Sequence, residues 1–111
     1  MSASNVGLIE LDPEAVQALL VSGEAILVDV REDDEYAAEH IAGSVLHPMS
    51  GFEVETWPAF PGRKVIISCL GGVRSANVAR KLIAAGQGWA IHLKGGLNAW
   101  RDAGLPTVTQ A

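Results

Sequence analysis

The stretch VIISCLGGVRSANVARKL, residues 65–82, decides how the chain is read. An apolar run that begins at Val65 leads into Cys69, the one cysteine in the sequence; Gly71 and Gly72 follow, then Arg74 and Ser75, then Ala76, Val78, Ala79, Leu82 and Ile83 at helical spacing. This pattern predicts a strand, a tight loop and a helix. At a helix N-terminus the unpaired amides and the macrodipole together favour an anion. Glycines allow successive amides to point into one concavity. The nucleophilic form of cysteine is the thiolate, which helix N-termini and nearby arginines favour over the thiol. A lone cysteine at a strand end also fits a small buried hydrophobe. The two glycines, Arg74 and the helix start together point to a nucleophile with an anion cradle.

Outward from this stretch, the 111 residues are 49% hydrophobic and 19% charged, which predicts one globular domain over 1–111 with a core that needs no disulfide or metal. A single cysteine allows no internal disulfide, and three scattered histidines give no zinc pattern, so no cofactor or metal is expected. The first residues, MSASNVGLIELDPEA, have no basic segment leading into an apolar one, and no run is long enough to span a bilayer. The expectation is a soluble, cytoplasmic protein with no membrane partner. A net charge of −5 argues against nucleic acid as a partner, so any anion site must be built locally from amides and a few arginines.

Along the chain, residues 7–10 suggest a short strand, and Asp12-Pro13-Glu14 opens a helix with a capping residue, proline at N1 and an acid in the first turn. Val16, Leu19 and Leu20 share its apolar face, and Gly23 ends it. Residues 25–30 form a near-continuous apolar run, the mark of a parallel strand buried on both faces. The acidic segment 32–39 predicts a helix with Tyr36 and Ala37 inward and its carboxylates in solvent. Residues 43–47 suggest a strand ended by Pro48, and 49–63 a short helix or irregular loop. Residues 89–93 are a last strand, before a short helix through Trp100. The alternation predicts an α/β fold, doubly wound, with five mainly parallel strands and helices on both faces. The first few residues and the tail after Thr107 are expected to fray. In such sheets ligands bind beyond the carboxyl ends of the strands. Asp29, Arg31, His47, Cys69 and Lys94 all fall near those ends.

The run Cys69-Leu70-Gly71-Gly72-Val73-Arg74-Ser75 resembles the C-x-x-G-x-R-S active-site loop of rhodanese-type sulfurtransferases. The likeness extends to Val28-Asp29-Val30-Arg31-Glu32 with Glu35-Tyr36 and His40-Ile41-Ala42-Gly43-Ser44, where Ser44 stands in an alanine position of the family pattern. It also takes in Leu93-Lys94-Gly95-Gly96 with Trp100, Gly104 and Pro106, and covers roughly residues 26 to 108. The resemblance implies that Cys69 attacks the outer sulfur of thiosulfate or a related donor and holds it as a persulfide. The amides of Leu70, Gly71, Gly72, Val73, Arg74 and Ser75 would stabilise the anion. The implied partners are a small anionic sulfur donor and a thiol or cyanide acceptor. With one cysteine, the acceptor must be external.

Arg74 has two readings, a guanidinium facing the pocket mouth, which is favoured, or one turned outward to pair with an acid. Arg31 fits either bidentate binding of the donor's oxyanion or an anchor for the acidic helix. Asp29 reads as a buried acceptor that fixes a neighbouring loop. His40, His47 and His92 read as structural, only His47 having any claim on the pocket, and Trp57, Trp89 and Trp100 as packing. Cysteine phosphatases share the strand-loop-helix but need five residues between cysteine and arginine; here four separate Cys69 from Arg74, and the smaller cradle suits a sulfur atom better. Two other readings are a persulfide carrier or regulatory module with protein donor and acceptor, and a silent domain, against which the intact loop argues.

Overall fold

The computed structural model of the protein describes residues 6–109. Five parallel strands form the sheet: β1 (Leu8–Leu11), β2 (Ala25–Asp29), β4 (Val45–Leu46), β5 (Lys64–Ser68) and β6 (Ala90–Leu93), in the order β1-β6-β5-β2-β4. The helices are α1 (Pro13–Ser22), α2 (Asp33–Ala38), α3 (Val73–Leu82) and α4 (Gly96–Asp102). This is the predicted doubly wound α/β architecture.

The strands read as apolar runs because both faces are covered, and their alternation divides the core in two. Leu27, Ile66, Ile91 and Leu93 pack on one face with Val16 of α1 and with Leu97 and Trp100 of α4. Val28, Ile67 and Ala90 pack on the other with Val78, Ala79 and Leu82 of α3. Leu27, Val28, Ile66 and Ile67 are all at most 1% exposed, so each contributes roughly 1.5–3 kcal/mol of burial to the central pair of strands. Asp12 stands before α1 and Pro13 begins it, as predicted, but the Asp12 side chain makes no capping bond; Gly23 ends the helix at φ +78°, its N–H reaching the carbonyls of Leu19 and Leu20. The predicted loop over 49–63 contains two short 3₁₀ turns, Met49–Gly51 and Val54–Thr56.

Three expectations need correction. The acidic helix is shorter than predicted: it stops at Ala38, and Glu39–His40 form a strand, β3, with Ala37 exposed and Tyr36 half-buried. The tail after Thr107 was expected to fray, yet Val108–Thr109 form β7, antiparallel to β3. It is held because Trp100 Nε1 donates to Pro106 O at 2.9 Å and the Thr107 hydroxyl donates to Glu39 at 2.6 Å. Trp89 is 49% exposed and is not a core residue, whereas Trp100 is buried. The fraying expected of the first residues concerns 1–5, which, with 110 and 111, lie outside the described residues. Among the described residues, no helix is long and apolar enough to cross a membrane.

Candidate active site

Cys69 is the first residue past β5, where the sheet delivers it to the start of α3. The peptide units after it turn so that their carbonyls and amides face opposite ways. Cys69 O accepts from Leu97 N and Leu70 O from Asn98 N, both at 2.9 Å, so the free amides at the start of α4 hold the outside of the loop. On the inside, Gly72 N donates to Cys69 Sγ at 3.0 Å and Ser75 N at 3.3 Å. Gly72, at φ +100°, supplies the left-handed turn that reverses the chain into α3. Of the six amides expected around the sulfur, those of Gly72 and Ser75 are the ones bonded to it. The sulfur is buried, with Cys69 only 1% exposed.

Both arginines take the second of their predicted roles. Arg31 is 3% exposed and its Nε and Nη2 grip both oxygens of Asp29 at 2.9–3.1 Å. Its remaining donors reach Glu39 O at 2.7 Å and Glu35 O at 3.4 Å. The expectation that Arg31 binds the donor's oxyanion is therefore corrected: its guanidinium is engaged by Asp29 and by the carbonyls of Glu35, within α2, and Glu39, just past its end. Asp29 is the buried acceptor it was expected to be, and also receives Arg31 N at 2.9 Å.

Arg74 pairs bidentately with Glu35, at 2.7 and 3.0 Å. Of the two readings of Arg74, the structure shows the pairing with an acid, because Glu35 presents both oxygens to it. Glu35 Oε1 also caps α2 by accepting Glu32 N at 3.0 Å. The Arg74 hydrogen bonds, above all, push the Glu35 carboxyl down from its ordinary 4.5 to about 2, against the opposing effect of partial burial. A depressed carboxylate contributes stability in full above pH 4.5, and the contribution is lost as pH falls toward 2. The parent should therefore resist urea better than Glu35→Gln above pH 4.5, with the gap closing toward pH 2. A gap independent of pH would show that the ion pair is not its source.

His47 does not reach the cysteine loop: its ring is edge-on to Trp57 at 5.2 Å, in a depression it shares with Glu32, Asp33 and Ser50. His92 was passed over as structural, yet it is 2% exposed and bonded at both nitrogens: Nδ1 lies 2.8 Å from Ser75 Oγ and Nε2 2.9 Å from Glu10 Oε2. The available signal was a histidine inside the apolar run Ala90-Ile91-His92-Leu93, since a buried polar group requires partners. Beside the loop lies a depression of about 270 Å³ lined by Glu10, Gly71, Gly72, Val73, His92 and Gly95. A larger cavity, about 630 Å³, sits by Lys64, Val65 and Ala90 at the amino ends of the strands, far from the loop. No group of three or more His, Cys, Asp or Glu among the described residues could hold a metal ion.

A cysteine on an amide-lined loop, at the carboxyl edge of a doubly wound parallel sheet, defines a class of α/β proteins. Residues 12–103 match the family described as Rhodanese-like domain, and the chain belongs to that family. It is 33% identical to a sulfurtransferase of Allochromatium vinosum over 89% of this chain and 94% of that protein. It is also 38% identical to an uncharacterised protein of Synechocystis sp. over 97% of this chain, and spans only 60% of that relative's length. Among solved structures, a thiosulfate sulfurtransferase from Pseudomonas aeruginosa superposes with a TM-score of 0.78 at 32% identity, over 94% of this chain and 21% of that one.

Proposed function

We propose that the protein is a sulfurtransferase in which Cys69 carries a sulfane sulfur taken from thiosulfate or a related small donor. The Cys69 thiolate attacks the outer sulfur, the donor's S–S bond breaks, and sulfite leaves with the bonding pair. A thiolate or cyanide then attacks the terminal sulfur of the persulfide and Cys69 leaves as a thiolate. No cofactor enters this scheme. The observation that carries the reading is the convergence of Gly72 N and Ser75 N on Sγ, at 3.0 and 3.3 Å. Charge-assisted bonds of this kind favour an anionic sulfur throughout the cycle. Amides aimed at a single sulfur atom suit sulfur transfer better than phosphoryl transfer, whose transition state spreads charge over three oxygens. A thiol only 1% exposed suits a small donor, in preference to a protein one.

Incubation with thiosulfate should raise the intact mass by one sulfur atom, and cyanide should then remove it with release of thiocyanate. Cys69→Ser should take up none. If Cys69→Ser transferred sulfur at the parent rate, or the parent formed no adduct and hydrolysed aryl phosphates instead, this reading would be wrong.

A further inference from the structure

The buried sulfur is joined to solvent by a continuous chain of side chains. Cys69 Sγ lies 3.5 Å from Ser75 Oγ, Ser75 Oγ 2.8 Å from His92 Nδ1, and His92 Nε2 2.9 Å from Glu10 Oε2. The fold sets these neighbours side by side. In β6 the alternation that sends Ala90 toward α3 sends His92 the same way, and Ser75 is buried in the first turn of α3. Parallel pairing of β1 with β6 places Glu10 directly beside His92. His92 is 2% exposed and the Glu10 side chain 48%, so the chain opens to solvent at the carboxylate.

We propose that Ser75, His92 and Glu10 form a proton relay that draws the proton from Cys69, with His92 acting through Ser75 as a positioning and proton-holding residue. The inference rests on the sulfurtransferase reading above. A carboxylate only accepts, so in the neutral imidazole Nε2 carries the hydrogen toward Glu10, and Nδ1 is left to accept from the Ser75 hydroxyl. Ser75 Oγ in turn accepts from the Cys69 S–H. Gly72 O, at 3.2 Å, is a second acceptor for the Ser75 hydroxyl; with the hydrogen on the nearer Nδ1, at 2.8 Å, all donors run in one direction, from sulfur to carboxylate. As the thiol ionises, its proton passes to Ser75 Oγ and the hydroxyl proton passes to Nδ1. The products are a thiolate and an imidazolium, with no proton gained or lost. The hydroxyl now donates to the sulfur, adding a third donor to the amides of Gly72 and Ser75, while Glu10 holds the imidazolium. Excess protons exchange with water at the half-exposed carboxylate.

The charged groups around the imidazole are Glu10 from β1, Arg80 of α3, which lines the same depression, and Cys69 beyond Ser75. Glu10 touches the ring, whereas the sulfur lies two hydrogen bonds further on. The carboxylate therefore favours the imidazolium more than it opposes the thiolate. The sign of its effect separates a relay from a plain field, since a negative charge acting only on the sulfur would suppress the thiolate.

The test is the rate of Cys69 alkylation by iodoacetamide against pH, read by intact mass on the full chain, for the parent, His92→Gln and Glu10→Gln. His92→Gln should react about tenfold more slowly at neutral pH and match the parent at alkaline pH, where the thiol ionises unaided. Glu10→Gln, at a half-exposed site, should shift the rate at neutral pH in the same direction by less. A His92→Gln rate equal to the parent's at neutral pH, or one reduced equally at every pH, would overturn the relay. So would faster alkylation of Glu10→Gln. Because alkylation needs no sulfur donor, a parent that gives the expected pattern but takes no sulfur from thiosulfate overturns the sulfurtransferase reading and leaves the relay standing.

Discussion

Replacing Gly96 with alanine is expected to lower sulfur loading of Cys69 from thiosulfate about a hundredfold while the sheet stays folded. Gly96 begins α4 at φ +60°, and a Cβ there would collide with Cys69 O and lie 2.6 Å from Leu70 O. Both carbonyls accept from the next two amides of α4, so the loop and α4 can separate only by breaking the contacts that aim Gly72 N and Ser75 N at the sulfur. A displacement of about an ångström is enough to cost two orders of magnitude where a reacting atom must be held in place. The left-handed backbone adds roughly 1–2 kcal/mol of strain for any residue with a Cβ. Sulfur loading followed by mass, beside a thermal melt, reads both effects. Loading within a few-fold of the parent would mean that the cradle can move without loss.

The largest effect on stability is expected from Asp29→Ala. Asp29 and Arg31 are 4% and 3% exposed and hold each other by three side-chain hydrogen bonds. Removing the carboxylate leaves a guanidinium buried without its counter-charge, which costs about 3–5 kcal/mol. That is a large share of the 5–15 kcal/mol by which domains are commonly stable. The double replacement of Asp29 by Ala and Arg31 by Met should recover part of the loss, because it removes the stranded charge. It also releases the carbonyls of Glu35 and Glu39 from Arg31, so the recovery should be incomplete. Urea unfolding of the three proteins decides the matter. A single Asp29→Ala change costing less than about 1 kcal/mol, the range of a surface pair, would contradict the burial argument.

What could be read from the chain alone follows from which interactions are local. The run from Ala25 to Asp29, the alternation of Ile66 and Ile67 between two cores, and the glycines that turn Cys69 into α3 are set by neighbours a few positions away. Their strand, loop and helix were all legible. The partners of the charged residues were not. Arg74 meets Glu35 across 39 positions and His92 meets Glu10 across 82, and neither meeting can be inferred until the strand order is known. β7 was missed for the same reason. Val108 and Thr109 are exposed and carry no periodic pattern, and their order comes from the pairing with Glu39–His40 and the Thr107 bond to Glu39, 68 positions away.

The position of β1 also bears on the order in which the molecule assembles. Among the described residues, Leu8–Leu11 pairs with Ala90–Leu93 and with no other strand, so β1 cannot dock until β6 has been made. Parallel pairings this distant carry a large loop-closure entropy and form late. During synthesis from the N-terminus, β2 and β5 can associate and set the cysteine loop at their edge while β1 is still unpaired. The thiol then has its glycine turn before Glu10 arrives. The edge strand that closes the sheet is also the one that carries Glu10 to His92, so that contact waits on the pairing of β1 with β6.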